Sequence, residues 1–387
     1  MEIDHETIHS EYEPIRRALG AGKIEFLIVG ILIISYFYIR LFAFGHDIIS
    51  VIILLGLVLG TWLAFRPSEW AVEGLESVAG HRGYSAYIAG LLSSLASNMP
   101  EAVVSGLAAY SGYTQGSQDL LDIAILSVLI AAGFNMLLLG ITIVISTKGK
   151  ADMEVPKEII QKDSVLIRWT IVALASMFAL GIVDLAVTAS TGDVNYFPRE
   201  ASFVLFLSYV VYAYSLKEGE VGEIGEAKIV VPHFSKRNSA ILTLMGFIGI
   251  FFAGEMLTFS VELLLEEQHT LISSIGDPVY IAALILGAAG ALPEHGIALI
   301  AASKGKVGLA VGNLVGGVLQ IVLLVAGGIG IFVPIPLDRY VLFQIVVIAG
   351  SLWFLKRNIT DDNKLDLFEG MMIILLQAYV FVLLITS

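Results

Sequence analysis

Residues Tyr84–Gly112 read YSAYIAGLLSSLASNMPEAVVSGLAAYSG, and residues Gly276–Lys306 read GDPVYIAALILGAAGALPEHGIALIAASKGK. Each is an apolar run that carries one carboxylate directly after a proline. Glu101 is the only formal charge between Tyr84 and Gln118, and Glu294 the only one between Asp277 and Lys304, with His295 beside it. An acidic side chain at the centre of a hydrocarbon-length helix costs at least about 2.5–3.5 kcal/mol, so such residues face a bundle interior and are functional candidates by default.

The rest of the chain supplies that bundle. Its 387 residues are 57% hydrophobic and 15% charged, the balance of a polytopic membrane protein. Apolar runs recur at a length that crosses a hydrocarbon core of about 30 Å as a helix. There is no cysteine, which excludes disulfides, thiolate metal sites and cysteine nucleophiles. The net charge of −13 argues against nucleic acid as a partner and tolerates a cationic substrate.

The spacing predicts an all-α polytopic membrane protein of eleven transmembrane helices. Residues 1–23 form a polar N-terminal segment, and 24–45 hold a first helix that ends at Arg40 without a small-residue cleavage pattern, hence retained. Further spans are expected at about 48–66, 84–112, 118–146, 165–186, 199–216, 239–264, 277–303, 307–332, 339–356 and 366–386. With a cytoplasmic N-terminus, eighteen of the 22 lysines and arginines fall in inner segments and only Arg199 and Arg339 in outer loops. That bias is the positive-inside signature, and it places the C-terminus on the opposite side.

After the first helix, five spans (46–216) precede an acidic linker (217–238) and five more (239–387). Five is odd, so the second set enters the membrane upside down relative to the first. Inverted repeats of this kind are frequent in secondary transporters, with the substrate site at the midplane between them. In the linker, Glu218, Glu220, Glu223 and Glu226 mark a solvated cytoplasmic connection or, as the alternative, a weakly cation-attracting or regulatory segment.

Superposing SNMPE (Ser97–Glu101) on GALPE (Gly290–Glu294) puts Pro100 on Pro293 and Glu101 on Glu294. Each proline lacks an N–H and pushes away the carbonyl four residues earlier, here Ala96 and Ala289. Freed carbonyls at membrane depth are tolerated where they are buried or line a cavity. Two carboxylates with such carbonyls make a hard all-oxygen site, which suits Ca2+ better than the geometrically stricter Mg2+. Asn98 shares the helix face of Glu101, and Ser94 and Ser97 lie on adjoining turns. The next helix of each half adds a buried amide, Asn135 and Gln320, able to bind a cation or hold a carboxylate.

These paired Pro-Glu segments, each followed by a Gly-rich helix with a central amide, resemble the two α-repeats of the Ca2+/cation antiporter superfamily. The resemblance spans residues 24–386 and implies that Glu101 and Glu294 are Ca2+ ligands, with no cofactor and no catalytic chemistry. Na+-coupled members carry Thr-Ser before Pro-Glu in both repeats; here Ser97-Asn98 stands in the first and Gly290-Ala291 in the second. Proton-coupled members resemble Gly-Asn-x-x-Glu, with Glu-His in the second repeat and a downstream Gln, a pattern met by Asn98, Glu294-His295 and Gln320. The Pro-Glu pairs themselves belong to the Na+-type motif, and Ala291 stands where the proton type has Asn. The expectation is Ca2+/H+ exchange, with Na+ coupling as the alternative.

A proton also fits the physics, since two facing buried glutamates cannot both stay ionised once the cation leaves. His295 points about 100° away from Glu294 and is either a packing residue or a proton relay or gate. Glu69 near the inner mouth and Glu255 near the outer one are expected to collect cations or gate, unless they are merely solvated helix-end charges. A channel is disfavoured because the two glutamates form an internal pair, not an oligomeric ring. An intramembrane enzyme is disfavoured because no Gly-x-Ser-x-Gly occurs and no HExxH lies within the apolar spans, the one such string, His5-Glu6-Thr7-Ile8-His9, standing in the polar N-terminal segment.

Overall fold

The computed structural model describes residues 22–42, 46–84, 86–155, 157–188, 196–222, 231–267, 273–274, 276–303, 307–337 and 339–386. The polar residues 1–21 and linker residues 223–230 lie outside them. In chain order the helices are α1 (Lys23–Phe42), α2 (His46–His81), α3 (Ala86–Ser97), α4 (Met99–Gln115), α5 (Gln118–Thr147), α6 (Lys157–Thr188) and α7 (Arg199–Gly222). The second half follows with α8 (Lys236–Glu267), α9 (Pro278–Ser303), α10 (Val307–Gln320), a π-helical turn (Ile321–Ala326), α11 (Gly327–Phe332), α12 (Arg339–Asp362) and α13 (Leu367–Thr386). Counting α3–α4 and α10–α11 as interrupted single spans leaves the eleven expected from the sequence.

Among the described residues, eight of these spans are long and apolar enough by themselves to cross a membrane: α1, α2, α5, α6, α8, α10–α11, α12 and α13. Of the other three, the α3–α4 span is broken into two short pieces.

Local chemistry sets the breaks. Pro100 cannot donate to the Ala96 carbonyl, and α3 ends at Ser97 with Asn98 at φ −89°, ψ 0° as the hinge. Pro100 then sits at the start of α4, where a missing N–H is harmless. Gly116 closes α4 at φ +67°, a left-handed conformation that glycine adopts without Cβ strain, and its N–H bonds the Gly112 carbonyl. Ser117 starts α5 by accepting from Leu120 N at 3.4 Å. By contrast, α9 runs through Pro293 without a break. The bend expected in both repeats therefore interrupts helical structure only in the first, where Asn98 supplies a residue that leaves the helix readily.

Helix α2 also runs beyond the expected 48–66, continuing through Pro67 to His81. Pro67 looked like a stop, but its ring fills the space above Gly249, and its carbonyl lies 2.6 Å from where a Cβ on Gly246 would be. In a bilayer, helices associate through packing and not through exclusion of apolar surface from water, so small residues decide how near backbones come. The α2–α8 crossing is of this kind.

Neighbour pairs repeat between the two halves. α2 packs on α8 and α6 on α12; α4 packs on α8 as α9 packs on α2; α5 packs on α13 as α10–α11 packs on α7. Two short antiparallel ladders follow the same rule. β1 (Asp152–Glu154), between α5 and α6, pairs with β4 (Lys364–Asp366), between α12 and α13, with Asp152 opposite Asp366. β2 (Tyr196–Phe197), between α6 and α7, pairs with β3 (Ile335–Pro336), between α11 and α12. Helix α5 is enclosed on nearly every side, whereas α1 exposes Ile24, Leu27, Ile31, Ile34, Tyr38 and Leu41 outward as lipid-facing surface.

Candidate cation site

Glu101 lies in the first turn of α4 and is 2% exposed. The positive end of the helix dipole favours a carboxylate there by about 0.3–1 kcal/mol. Burying an ion costs several kcal/mol, so the dipole alone cannot hold the charge. A bound cation or a proton would offset that cost.

Three residues earlier, Asn98 is equally buried and reaches across the halves. Its Nδ2 donates to the Ser94 carbonyl at 2.9 Å and to Gln320 Oε1 at 2.8 Å. Both amide hydrogens are thereby used, and the buried Oδ1, with no partner among the described residues, remains as an acceptor. Ser97 Oγ donates to the same Ser94 carbonyl at 2.9 Å. Ser94 Oγ, buried and without a partner among the described residues, faces α10 at Gly316. The α3–α4 hinge thus gathers neutral oxygens within about two helical turns of a carboxylate.

Helix α9 closes the site from the other half. A Cβ built on Gly290 would stand 3.0 Å from Glu101 Cγ, so the absence of a side chain there lets Glu101 lie directly on α9. The sequence comparison reads Gly290 as a lost hydroxyl; packing gives it a steric purpose. Glu294 follows one helical turn later, and Ala289 immediately precedes Gly290. The side chains of Glu294 and His295 lie outside the described residues. Asn135 is fully buried on α5, which packs on both α4 and α9. Ala96 is buried beside the hinge.

The two acidic candidates for the mouths are elsewhere. Glu255 Oε1 is 2.7 Å from Arg40 of α1, whose guanidinium lies 3.8 Å over the Phe259 ring. Glu69 Oε2 is 2.8 Å from Arg66, which also reaches Glu25 at 3.2 Å. Both carboxylates are engaged by arginines, and neither joins Glu101. Among the described residues no three Asp, Glu or His side chains converge.

What sequence reasoning missed is the Ser94 carbonyl as a hub, Gly290 as a seat and the π turn. The last follows directly on Gln320, and π turns favour functional sites. No side-chain pattern announces it. From Asn98 an apolar cavity of about 580 Å³ extends between α4 and α11 past Gly106 and Gly328 to Tyr110. At its far end the Tyr113 hydroxyl donates to the Phe332 carbonyl.

Comparison with known proteins bears on the family and the fold. The profile of the family described as sodium/calcium exchanger protein matches residues 48–216 and 238–387. The "Putative antiporter CaxA" of Alkalimonas amylolytica is 28% identical over 292 residues, 75% of this chain and 82% of that protein. Among solved structures, the H+/Ca2+ exchanger CAX superposes with a TM-score of 0.66 at 17% identity, covering 96% of this chain and 93% of that one. YfkE gives 0.62 at 19%, covering 96% and 99%, and the sodium-calcium exchanger NCX_Mj gives 0.57 at 20%, covering 86% and 98%. At such identities the likeness is one of fold.

Proposed function

The chain belongs to the sodium/calcium exchanger protein family, and from that premise we propose that it exchanges Ca2+ for protons across a membrane by alternating access. Membership makes it an integral membrane antiporter of the cation/Ca2+ class. The proposal adds the site and the counter-ion. Glu101 and Glu294 hold Ca2+ between the halves; Asn98 Oδ1, Ser97, Gln320, Asn135 and the carbonyls of Ala96 and Ala289 complete or orient its oxygen shell.

The observation that carries this reading is the juxtaposition of Glu101 with Gly290 and of Asn98 with Gln320. Both bring a Pro-Glu segment of one half against the other half, inside the membrane and away from the arginines. An inverted repeat is supported by the ladders. β1 follows the third helix of its half and β4 the fourth of its own, yet they pair. Connectors of successive spans alternate sides, so the pairing requires the halves to run in opposite directions. The two matched segments of the family profile divide the chain at the same place.

The site chemistry supports proton coupling. When Ca2+ leaves, a carboxylate as buried as Glu101 needs another positive partner, and a proton is the smallest. The decisive experiment is Ca2+ flux in proteoliposomes under an imposed pH gradient and, separately, an imposed Na+ gradient. Uptake driven by the pH gradient alone is the expected result. Uptake driven only by Na+ would replace the proton with Na+ and leave the Ca2+ site in place.

A further inference from the structure

A second polar position lies in the core away from Glu101, where Gln344 of α12 and Gln377 of α13 meet α5. Both are 0% exposed. Gln344 Nε2 donates to the Leu129 carbonyl at 3.1 Å. Its Oε1, and both Nε2 and Oε1 of Gln377, are buried with no partner among the described residues. A Cβ on Gly133 would lie 2.5 Å from Gln344 Nε2, 3.1 Å from Gln377 Oε1 and 3.5 Å from the Phe381 ring. Two carboxamides from different helices therefore converge on a position of α5 that has no side chain.

Each buried polar atom left unmet costs about 1–3 kcal/mol, so three at one place call for a ligand. Its chemistry is restricted. A cation would satisfy the two oxygens but oppose the Nε2 hydrogens, and an anion would do the reverse. Flipping the Gln377 amide exchanges its oxygen and nitrogen and still leaves one donor and one acceptor. Only a small neutral molecule that both donates and accepts meets all three atoms. We propose that Gln377 and Gln344, brought together because Gly133 has no side chain, hold one ordered water molecule between their carboxamides, which ties α5 to α12 and α13. Asn135 lies two positions beyond Gly133, about 200° around the helix, so the two polar faces of α5 are distinct.

The test is a density map of the full chain in lipid nanodiscs, at a resolution that shows ordered water. A peak about 2.7–3.2 Å from the Gln377 carboxamide and Gln344 Oε1 is the expected result. Gln377→Met keeps the volume and removes both amide atoms, and Gly133→Ala puts a methyl 2.5 Å from Gln344 Nε2 and so displaces that amide; each should abolish the peak. A wild-type map without a peak, in which Gln344 and Gln377 bond each other directly, would overturn the proposal, as would a peak with the all-oxygen shell of a cation. The wild-type map decides the matter even if a variant does not fold, and the outcome is independent of which ions the protein transports.

Discussion

Glu101 is held by one residue too small to notice. Replacing Glu101 with Gln preserves shape and removes the charge, and Ca2+ uptake should fall at least about tenfold, a loss of about 1.4 kcal/mol or more, with the elution profile unchanged. Full uptake by that variant would remove the site from the proposal. Gly290→Ala puts a methyl 3.0 Å from Glu101 Cγ. Overpacking of about 1–2 kcal/mol would displace the carboxylate, and apparent Ca2+ affinity should drop about five- to thirtyfold. An unchanged affinity would mean that α9 does not position Glu101. Gln320→Ala removes the acceptor of Asn98 Nδ2 at 2.8 Å. Loss of one such bond, about 0.5–1.5 kcal/mol, should weaken apparent affinity about two- to tenfold in a folded protein.

At the scale of the element, proline had three different outcomes in three helices. Pro100 stands at a break, Pro67 lies within α2 and Pro293 within α9. The difference is set by neighbours. Asn98 precedes Pro100 and can leave the helix, while Pro67 is held against Gly246 and Gly249 of α8. Gly246→Leu would drive a side chain into the backbone at Pro67 and Ala71, each 2.6 Å from its Cβ position. The thermal midpoint should fall by several degrees, since such overpacking costs about 1–3 kcal/mol. A midpoint equal to wild type would show that the α2–α8 crossing does not support the fold. The positions of the spans were legible because hydrocarbon-length apolar runs are unmistakable. The extension of α2 was not, because Arg66, Pro67 and Glu69 together read as a helix end.

Over the whole molecule, the ladders tie the two halves together at both ends of the bundle. Lys364 Nζ reaches Asp152 Oδ2 at 2.9 Å, reinforcing the β1–β4 pair. The natural chain has no cysteine, so single cysteines can be introduced without background. Asp152→Cys and Asp366→Cys should label with an impermeant maleimide from one side of the membrane, and Tyr196→Cys and Pro336→Cys from the other. The doubly substituted Asp152→Cys, Asp366→Cys chain should cross-link on oxidation. Labelling of positions 152 and 366 from opposite sides would break the inverted-repeat reading. The lysine and arginine bias further predicts that the first pair faces the cytoplasm.

The amino-acid sequence by itself determined the spans, the odd count of five per half, and the two glutamates as the residues to explain. All three rest on one property, the cost of charge and of exposed backbone in hydrocarbon, which is written residue by residue. Tertiary structure alone decided that Asn98 bonds Gln320 from the other half, that Gly290 is a seat for Glu101, that Glu255 and Glu69 pair with arginines, and that Gln344 and Gln377 meet over Gly133. These depend on which helix faces cross and how closely. In a bilayer that choice is made by interlocking small residues, whose partners lie up to some two hundred positions away and leave no mark in the local sequence.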